Sequence, residues 1–370
     1  MHLIHRLDVG GLENGLVNVI NNMDSAKFNH AIIAVTEITS FSNRIKREDV
    51  ELIALNHPGG QTSKQFPKLF RILRQLQPSV FHTRNLATLE FQLVASTRRK
   101  LFRIHGEHGW DMNNLNGENL NHLRLRKIMR RFTDLQIALS THTAQYLLDQ
   151  VGVSKNRLRK ICNGVDVDKF KPQLPKPAEW DQKINPGDFV IGTVGRLTAV
   201  KNQALLIRAF AQLLQSLDVR AGKELKLVLV GDGPLEIELS HLARDLKISD
   251  HVWFAGQRND IPQFMSSMDV FVLPSHSEGI SNSILEAMAA GAVLVATAVG
   301  GNPELIEPGQ GFLFTDNSQD ELVKILTDLY GARLENNQFR AYNRQVAIEK
   351  YSLRTMVDNY QRCYEEAIKS

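Results

Sequence analysis

Pro274-Ser-His-Ser-Glu278-Gly279-Ile280-Ser281-Asn282-Ser-Ile-Leu-Glu286-Ala-Met-Ala-Ala-Gly291 stands directly after the apolar run Val270-Phe-Val-Leu273. A β-type run, a short polar loop and then a helical segment form the repeating unit of a parallel sheet covered by helices. Ser281 or Asn282 is a suitable N-cap, and the first turn of the helix it opens leaves backbone N–H groups without intrahelical partners. The macrodipole adds roughly half a positive charge there, so this junction is predicted to bind an anion such as a diphosphate.

The same alternation extends in both directions. Ahead of residue 161, strands are expected near His2 to His5, Ala31 to Val35, Glu51 to Leu55, Val80 to His82, Phe102 to His105 and Leu135 to Ala138. Beyond Phe189 they are expected at Phe189 to Val194, Leu225 to Val230, His251 to Phe254, Val270 to Leu273, Val293 to Ala296 and Gly311 to Phe314. Leu206, Phe210, Leu213 and Leu217 mark a helix by their spacing, and Met356, Tyr360 and Tyr364 form one stripe of a terminal helix. Between the halves, Phe170 to Trp180 and Asn185 to Asp188 hold four prolines, a composition that predicts a linker without regular structure. The expectation is an α/β chain of two doubly wound domains with a ligand cleft between them. Their bounds are set at 1–168 and 169–350, with 351–370 as a terminal helix.

Composition excludes other classes. The 370 residues are 43% hydrophobic and 23% charged, which is neither a disordered nor a fibrous profile. A bilayer span takes ~20 consecutive apolar residues, and the longest candidate, Ala292 to Val299, is broken by Thr297 and followed by glycines. Met1 to Arg6 lacks the pattern of a secretory signal, so a cytoplasmic location is expected. Cys162 and Cys363 are too few and too far apart for a disulfide framework, and both are expected to be reduced and structural. Charge is uneven: 24 Lys and Arg face 15 Asp and Glu up to residue 170, against 20 and 25 beyond it. The basic excess gathers at Arg98, Arg99, Lys100 and Arg103 and at Arg124, Arg126, Lys127, Arg130 and Arg131. It reads either as a solvated face or as attraction to an anionic surface, membrane lipid or nucleic acid.

Several loops carry chemistry-bearing residues. Gly195-Arg196 and Lys201-Asn202 flank a loop after one strand, and a fork and a point charge together suit a departing diphosphate, each bond contributing roughly 1.5–3 kcal/mol. A carboxylate accepts from two adjacent hydroxyls, so Glu286 suits a ribose diol and Glu278 a sugar ring. Gly10-Gly11 after the first strand allows close backbone approach, but Glu13 and the register of Gly15 break the dinucleotide fingerprint and argue against NAD. Gly231-Asp-Gly233-Pro reads as a tight turn. In His105-Gly-Glu107-His108-Gly109-Trp110-Asp111, an imidazole is placed to bond a sugar hydroxyl, with Glu107 or Asp111 expected to raise its pKa. Two histidines three apart on no helix make a poor zinc site, and Asp166-Val-Asp168 reads as a turn rather than a metal-binding pair.

Taken jointly, Gly10-Gly11, His108-Gly109, Asn163-Gly164-Val165-Asp166, Gly195-Arg196 with Lys201, Val230 to Pro234 and the Glu278 to Glu286 motif resemble the retaining nucleotide-sugar glycosyltransferases of family four, of GT-B architecture. The stretches from Gly10 and from Gly106 are further similar to sugar transferases of bacterial exopolysaccharide and exosortase-associated gene clusters. One departure is that few residues precede the glycine pair. The resemblance implies Arg196 and Lys201 on the diphosphate, Glu286 on the ribose, and Glu278 and His108 on the donor sugar. It further implies Gly11 near the phosphate, the Gly279-Ile280-Ser281-Asn282 junction on the donor, the backbone near Arg258 against the base, and the terminal helix returning to the first domain. Catalytic roles are expected for His108, Glu278, Arg196 and Lys201, and donor binding for Gly10, Gly11, Arg258, Gly279, Ile280, Ser281, Asn282 and Glu286. No cofactor or metal is expected, the nucleotide sugar being substrate. The acceptor is expected to be a glycan or polyprenyl-linked, and an anionic membrane surface is a further partner. The alternatives are a nucleotide-sugar epimerase of the same fold and, less favoured, a nucleic-acid-binding protein, against which the lack of a recognition motif among the arginines argues.

Overall fold

The computed structural model describes residues 1–109, 119–217, 224–332 and 337–369. Among them the chain forms two units, Met1–Gly164 with Leu353–Ser370, and Val165–Ser352. The first holds a seven-stranded sheet of β1 (His2–Ile4), β2 (Ala31–Ala34), β3 (Glu51–Ala54), β4 (Val80–Arg84), β5 (Phe102–Glu107), β6 (Leu135–Ala138) and β7 (Leu158–Lys160). Every pairing is parallel, in the order β3-β2-β1-β4-β5-β6-β7. The second holds β8 (Phe189–Val194), β9 (Leu225–Val230), β10 (Val252–Gly256), β11 (Val270–Leu273), β12 (Val293–Thr297) and β13 (Gly311–Phe314), again parallel, in the order β10-β9-β8-β11-β12-β13. In each unit the order reverses beside the first strand, between β1 and β4 and between β8 and β11. Ligands of open α/β sheets bind outside the carboxyl ends of strands at such switch points.

Strands covered on both faces are predominantly apolar, and β8, β11 and β12 are buried along their whole length, with Thr193 and Thr297 their only polar side chains. The Gln203–Ser216 helix lays Leu206, Phe210 and Leu213 on this core, each burial contributing roughly 1.5–3 kcal/mol. In the first unit the Leu353–Lys369 helix buries Met356, Tyr360 and Tyr364 against Val19, Met23 and Ile104. Tyr364 Oη lies 2.8 Å from His82 Nδ1 on β4.

Two features differ from the sequence reading. β7 was not foreseen, because Leu158-Arg-Lys160 has one apolar residue and is ordered by pairing with β6 at the sheet edge. The proline-rich stretch is not a free linker: Trp180 is 1% exposed, with ring centroids 6.0 Å from both Trp253 and Phe264, and it opens the short Trp180–Lys183 helix. The prolines exclude a strand or a long helix, yet they do not prevent one indole from anchoring the segment to the second unit. Neither cysteine forms a disulfide; Cys363 is buried and Cys162 half-buried.

Candidate functional site

The loop after β8 is shaped by the loop after β9. Gly195 N–H donates to Val230 O at 3.0 Å and Leu197 N–H to Asp232 O at 2.7 Å. Gly231 and Gly233 have φ of +134° and +156°, and a Cβ on either would overlap the carbonyl oxygens of Gly195 and Leu197. Glycine is therefore required for the two loops to lie backbone against backbone. Thus held, the β8 loop leaves the Arg196 side chain exposed while Gln203 Nε2 donates to Arg196 O at 3.0 Å, and it carries Lys201 on the Ala199–Lys201 turn.

The loop after β11, from Pro274 to Ser281, is tied to the same place. His276 N–H donates to Val200 O at 2.9 Å, and Thr297 Oγ1 donates to Ser275 O at 2.5 Å. At Gly300, φ is +54° and an added Cβ would overlap the carbonyl oxygen of Glu278. The result is that Lys201 Nζ lies 2.6 Å from Glu278 Oε1, with the Glu278 side chain only 9% exposed. Ser281 caps the Asn282–Ala290 helix, its Oγ accepting from Ile284 N–H at 3.3 Å, and Glu286 lies half-buried one turn further on. Gly291 closes the helix in the left-handed conformation, at φ +75°. A cation, a carboxylate and a helix N-terminus thus meet at the β8/β11 switch point. Such an arrangement can neutralise a developing anion on one side and bond hydroxyls on the other.

Arg258 follows β10. Its guanidinium bonds both oxygens of Asp260 at 2.9 Å and Glu179 Oε2 at 2.7 Å, and it lies 5.2 Å from the Phe264 ring centroid. These bonds, to Asp260 first, raise its pKa further. With the fork so occupied, the loop has its backbone to offer a ligand. It borders a surface recess of about 640 Å³ lined by Lys169, Leu174, Gln257, Arg258, Asn259 and Asp260, among others. Asp166 Oδ1 accepts from Asp168 N–H at 3.1 Å and Lys169 N–H at 3.0 Å, so that acidic pair builds a turn.

In the first unit, Gly10 precedes the Gly11–Asn22 helix, and a Cβ on it would overlap the Glu13 carboxylate. His108 follows β5. Its main-chain N–H donates to Asn85 Oδ1 at 2.8 Å, and neither ring nitrogen, both buried, has a partner among the described residues. The expected rise in its pKa is reversed: burial and then the Arg84 charge push it well below the usual range, with Glu107 opposing. Glu107 is instead engaged by Arg126, through Nε at 2.6 Å and Nη2 at 3.1 Å, and lies 3.4 Å from His105 Nε2. Trp110 and Asp111 lie outside the described residues. Arg126 of the basic run is therefore internal, and Arg103 pairs with Asp134 through two bonds of 2.9 and 2.6 Å. Sequence reasoning missed Arg84, Asn85 and the His276–Asp316 pair at 2.8 Å, whose significance rests on partners distant in the chain.

Comparison with known proteins agrees with this geometry. Residues 176–346 match the model of glycosyl transferases group 1, and residues 9–169 match that of glycosyltransferase family 4. The chain belongs to the family-four glycosyltransferases.

Among relatives of this transferase is the UDP-Gal:alpha-D-GlcNAc-diphosphoundecaprenol alpha-1,3-galactosyltransferase of Escherichia coli, 27% identical over 71% of this chain and 69% of its own length. The putative glycosyltransferase EpsF of Bacillus subtilis is 26% identical over 79% of this chain and 77% of its own. Its GT-B fold is shared with a glycosyltransferase from Rickettsia africae, at a TM-score of 0.85 and 20% identity over 100% and 98% of the two chains. It is shared also with Anabaena Alr3699/HepE in complex with UDP, at 0.82 and 22% over 99% of each. Of the readings weighed from sequence, transferase rather than epimerase or nucleic-acid binder is the one these matches carry. Among the described residues, no helix of the transferase is long and apolar enough to cross a membrane.

Proposed function

We propose that this glycosyltransferase moves a sugar from a nucleoside diphosphate sugar to a glycan or polyprenyl-linked acceptor, with retention at the anomeric carbon, in bacterial cell-surface polysaccharide synthesis. The observation that carries the reading is the Lys201–Glu278 contact beside the capped end of the Asn282–Ala290 helix. The UDP complex of the Anabaena neighbour and the undecaprenol-linked acceptor of the Escherichia coli relative support the donor and acceptor classes. EpsF supports the polysaccharide context.

Cleaving the donor leaves positive charge on the anomeric carbon and negative charge on the departing diphosphate. Lys201, Arg196 and the N–H groups of residues 279–282 answer the second, supplying from side chains and backbone the charge that a metal ion supplies in other transferases. On donor binding, Lys201 exchanges Glu278 for phosphate oxygen, which frees the Glu278 carboxylate for hydroxyls of the sugar. Glu286 takes the ribose diol, the Arg258 loop meets the base through its backbone, and Gly10-Gly11 and His108 contact the phosphate and the sugar. The acceptor oxygen attacks from the face the diphosphate leaves, and its proton passes to that phosphate. Exposed Arg99, Lys100, Arg124, Lys127 and Arg131 add weak attraction to an anionic bilayer at the inner face of the plasma membrane.

A thermal-shift panel of UDP, GDP, ADP and their sugars, with and without EDTA, tests the reading, because a ligand of the folded state raises its melting point. One nucleotide series is expected to stabilise the enzyme equally in both conditions. No shift with any of them would refute the donor class, and a shift abolished by EDTA would refute the metal-free part. Equal sedimentation with neutral and anionic vesicles would refute the membrane part.

A further inference from the structure

The β4–β5 ladder ends at the pairing of Arg84 with Gly106, yet the chain carrying His108 continues to be held. Asn85 does this. Its N–H donates to Gly106 O at 2.8 Å, and its side-chain Oδ1 accepts from His108 N–H, also at 2.8 Å. Its own carbonyl accepts from Thr88 N–H at 3.1 Å, which starts the Leu86–Leu89 turn of helix. One residue therefore extends the ladder past the strand end, its amide taking the place of a main-chain carbonyl.

Two facts separate this from an ordinary helix start. Asn85 stands before that helix, where an Asn side chain ordinarily caps the following N–H groups, yet it makes no capping bond and reaches across to His108. Its backbone is at φ +59°, ψ 168°, a region nearly confined to glycine and found where function holds it. Glycine would satisfy the backbone and lose the acceptor. Most other residues would supply neither.

What is held in this way is unusual. The His108 ring folds back over Gly106, so that a Cβ there would meet His108 Nε2 at 3.0 Å and His82 Nε2 at 3.1 Å. Both nitrogens of the ring lack partners among the described residues. Burial first and then the Arg84 charge, with a smaller push from His105, hold its pKa well below the ordinary value and keep the ring neutral against the opposing Glu107 carboxylate. A neutral ring can accept a hydroxyl proton or donate one, provided its main chain is fixed.

We propose that Asn85 is the positioning residue of His108, setting the imidazole toward the donor sugar through the Oδ1 bond to the His108 main chain. This rests on the assignment of His108 to the donor. Three variants test it, Asn85→Gly, Asn85→Asp and His108→Ala. Turnover is read as nucleoside diphosphate release from UDP-glucose, UDP-galactose and GDP-mannose, and the His108 ring is titrated by NMR.

Asn85→Gly is expected to keep the parent melting point while its kcat falls by about ten-fold or more toward that of His108→Ala, with KM for the donor changing less. Its His108 ring, released, is expected to titrate nearer the ordinary value of about 6.5. Asn85→Asp, which keeps the acceptor, is expected to retain kcat near the parent value, while its added carboxylate moves the His108 titration upward. If Asn85→Gly keeps the parent kcat and His108 titration while His108→Ala loses turnover, the positioning role is wrong and the His108 assignment stands. If His108→Ala turns over normally, the donor assignment is wrong, and an unchanged ring titration in Asn85→Gly then removes the positioning role as well.

Discussion

Lys201 Nζ and Glu278 Oε1 stand 2.6 Å apart although their loops leave different strands, β8 and β11, on either side of the point where the sheet order reverses. Without ligand each is the other's counter-ion, and a diphosphate competes for the same ammonium. Lys201→Ala is expected to lower turnover at saturating donor by at least about ten-fold, the loss of one charge-assisted bond to the leaving group. The fold should survive, because a partly exposed pair contributes on the order of 1 kcal/mol or less. Steady-state kinetics beside a melting curve checks both halves, and an unchanged kcat would remove Lys201 from the diphosphate.

Gly300 and Gly309 offer a matched contrast. Both have positive φ, +54° and +89°, but a Cβ on Gly309 would meet nothing within 4 Å, whereas on Gly300 it would overlap the Glu278 carbonyl. Gly309→Ala is expected to cost only left-handed backbone strain, about 1–2 kcal/mol. Gly300→Ala must also displace the loop that carries Glu278, so the expected result is a larger loss in urea denaturation together with a kcat defect that Gly309→Ala lacks. Equal costs and equal activities would mean that the Glu278 loop gives way freely.

Much of this architecture was legible because parallel strands covered on both faces announce themselves. Phe189–Val194, Leu225–Val230, Val270–Leu273 and Gly311–Phe314 fall where the apolar runs put them. The cap was legible to within one residue, as Ser281 or Asn282, being local chemistry, and Ser281 fills it. What was not legible depends on partners far along the chain. Arg126 reads as one more basic residue until the fold places it on Glu107, and Asn85 is an unremarkable polar residue until His108 N–H arrives at its amide. His108 itself was read with the wrong sign of pKa shift, because burial first and then Arg84, from the neighbouring strand, outweigh the Glu107 carboxylate, which Arg126 already engages.

Trp180 gives a direct check on the proline-rich segment. Its indole is buried beside Trp253 and Phe264. Trp180→Ala is expected to destabilise the second unit by about 3–5 kcal/mol, the usual cost of emptying a buried aromatic site. Trp180→Phe should recover much of it. A denaturation midpoint unaltered by the alanine change would return residues 170–188 to the status of a passive connector.

Acidification should expose the buried Glu107–Arg126 pair. Burial by itself would raise the Glu107 pKa, but the Arg126 charge, helped by His105, overrides this and holds it at about 2. Because the folded value lies below the unfolded one of about 4.3, the unfolded chain takes up the proton first. The stabilisation is therefore complete above pH ~4.3 and is lost as the pH falls toward 2, on the order of 3 kcal/mol in all. His82 acts in the same direction at higher pH: burial, then Arg84, hold its ring well below the ordinary value, so stability begins to decline once the unfolded imidazole protonates below pH ~6.5. The melting point is expected to fall in two stages on acidification. Glu107→Gln should start from a less stable protein at pH 7, since it leaves Arg126 buried without its counter-charge, and should flatten only the lower stage. A Gln variant whose melting point keeps the parent slope between pH 4.3 and 2 would show that Glu107 does not titrate with the fold.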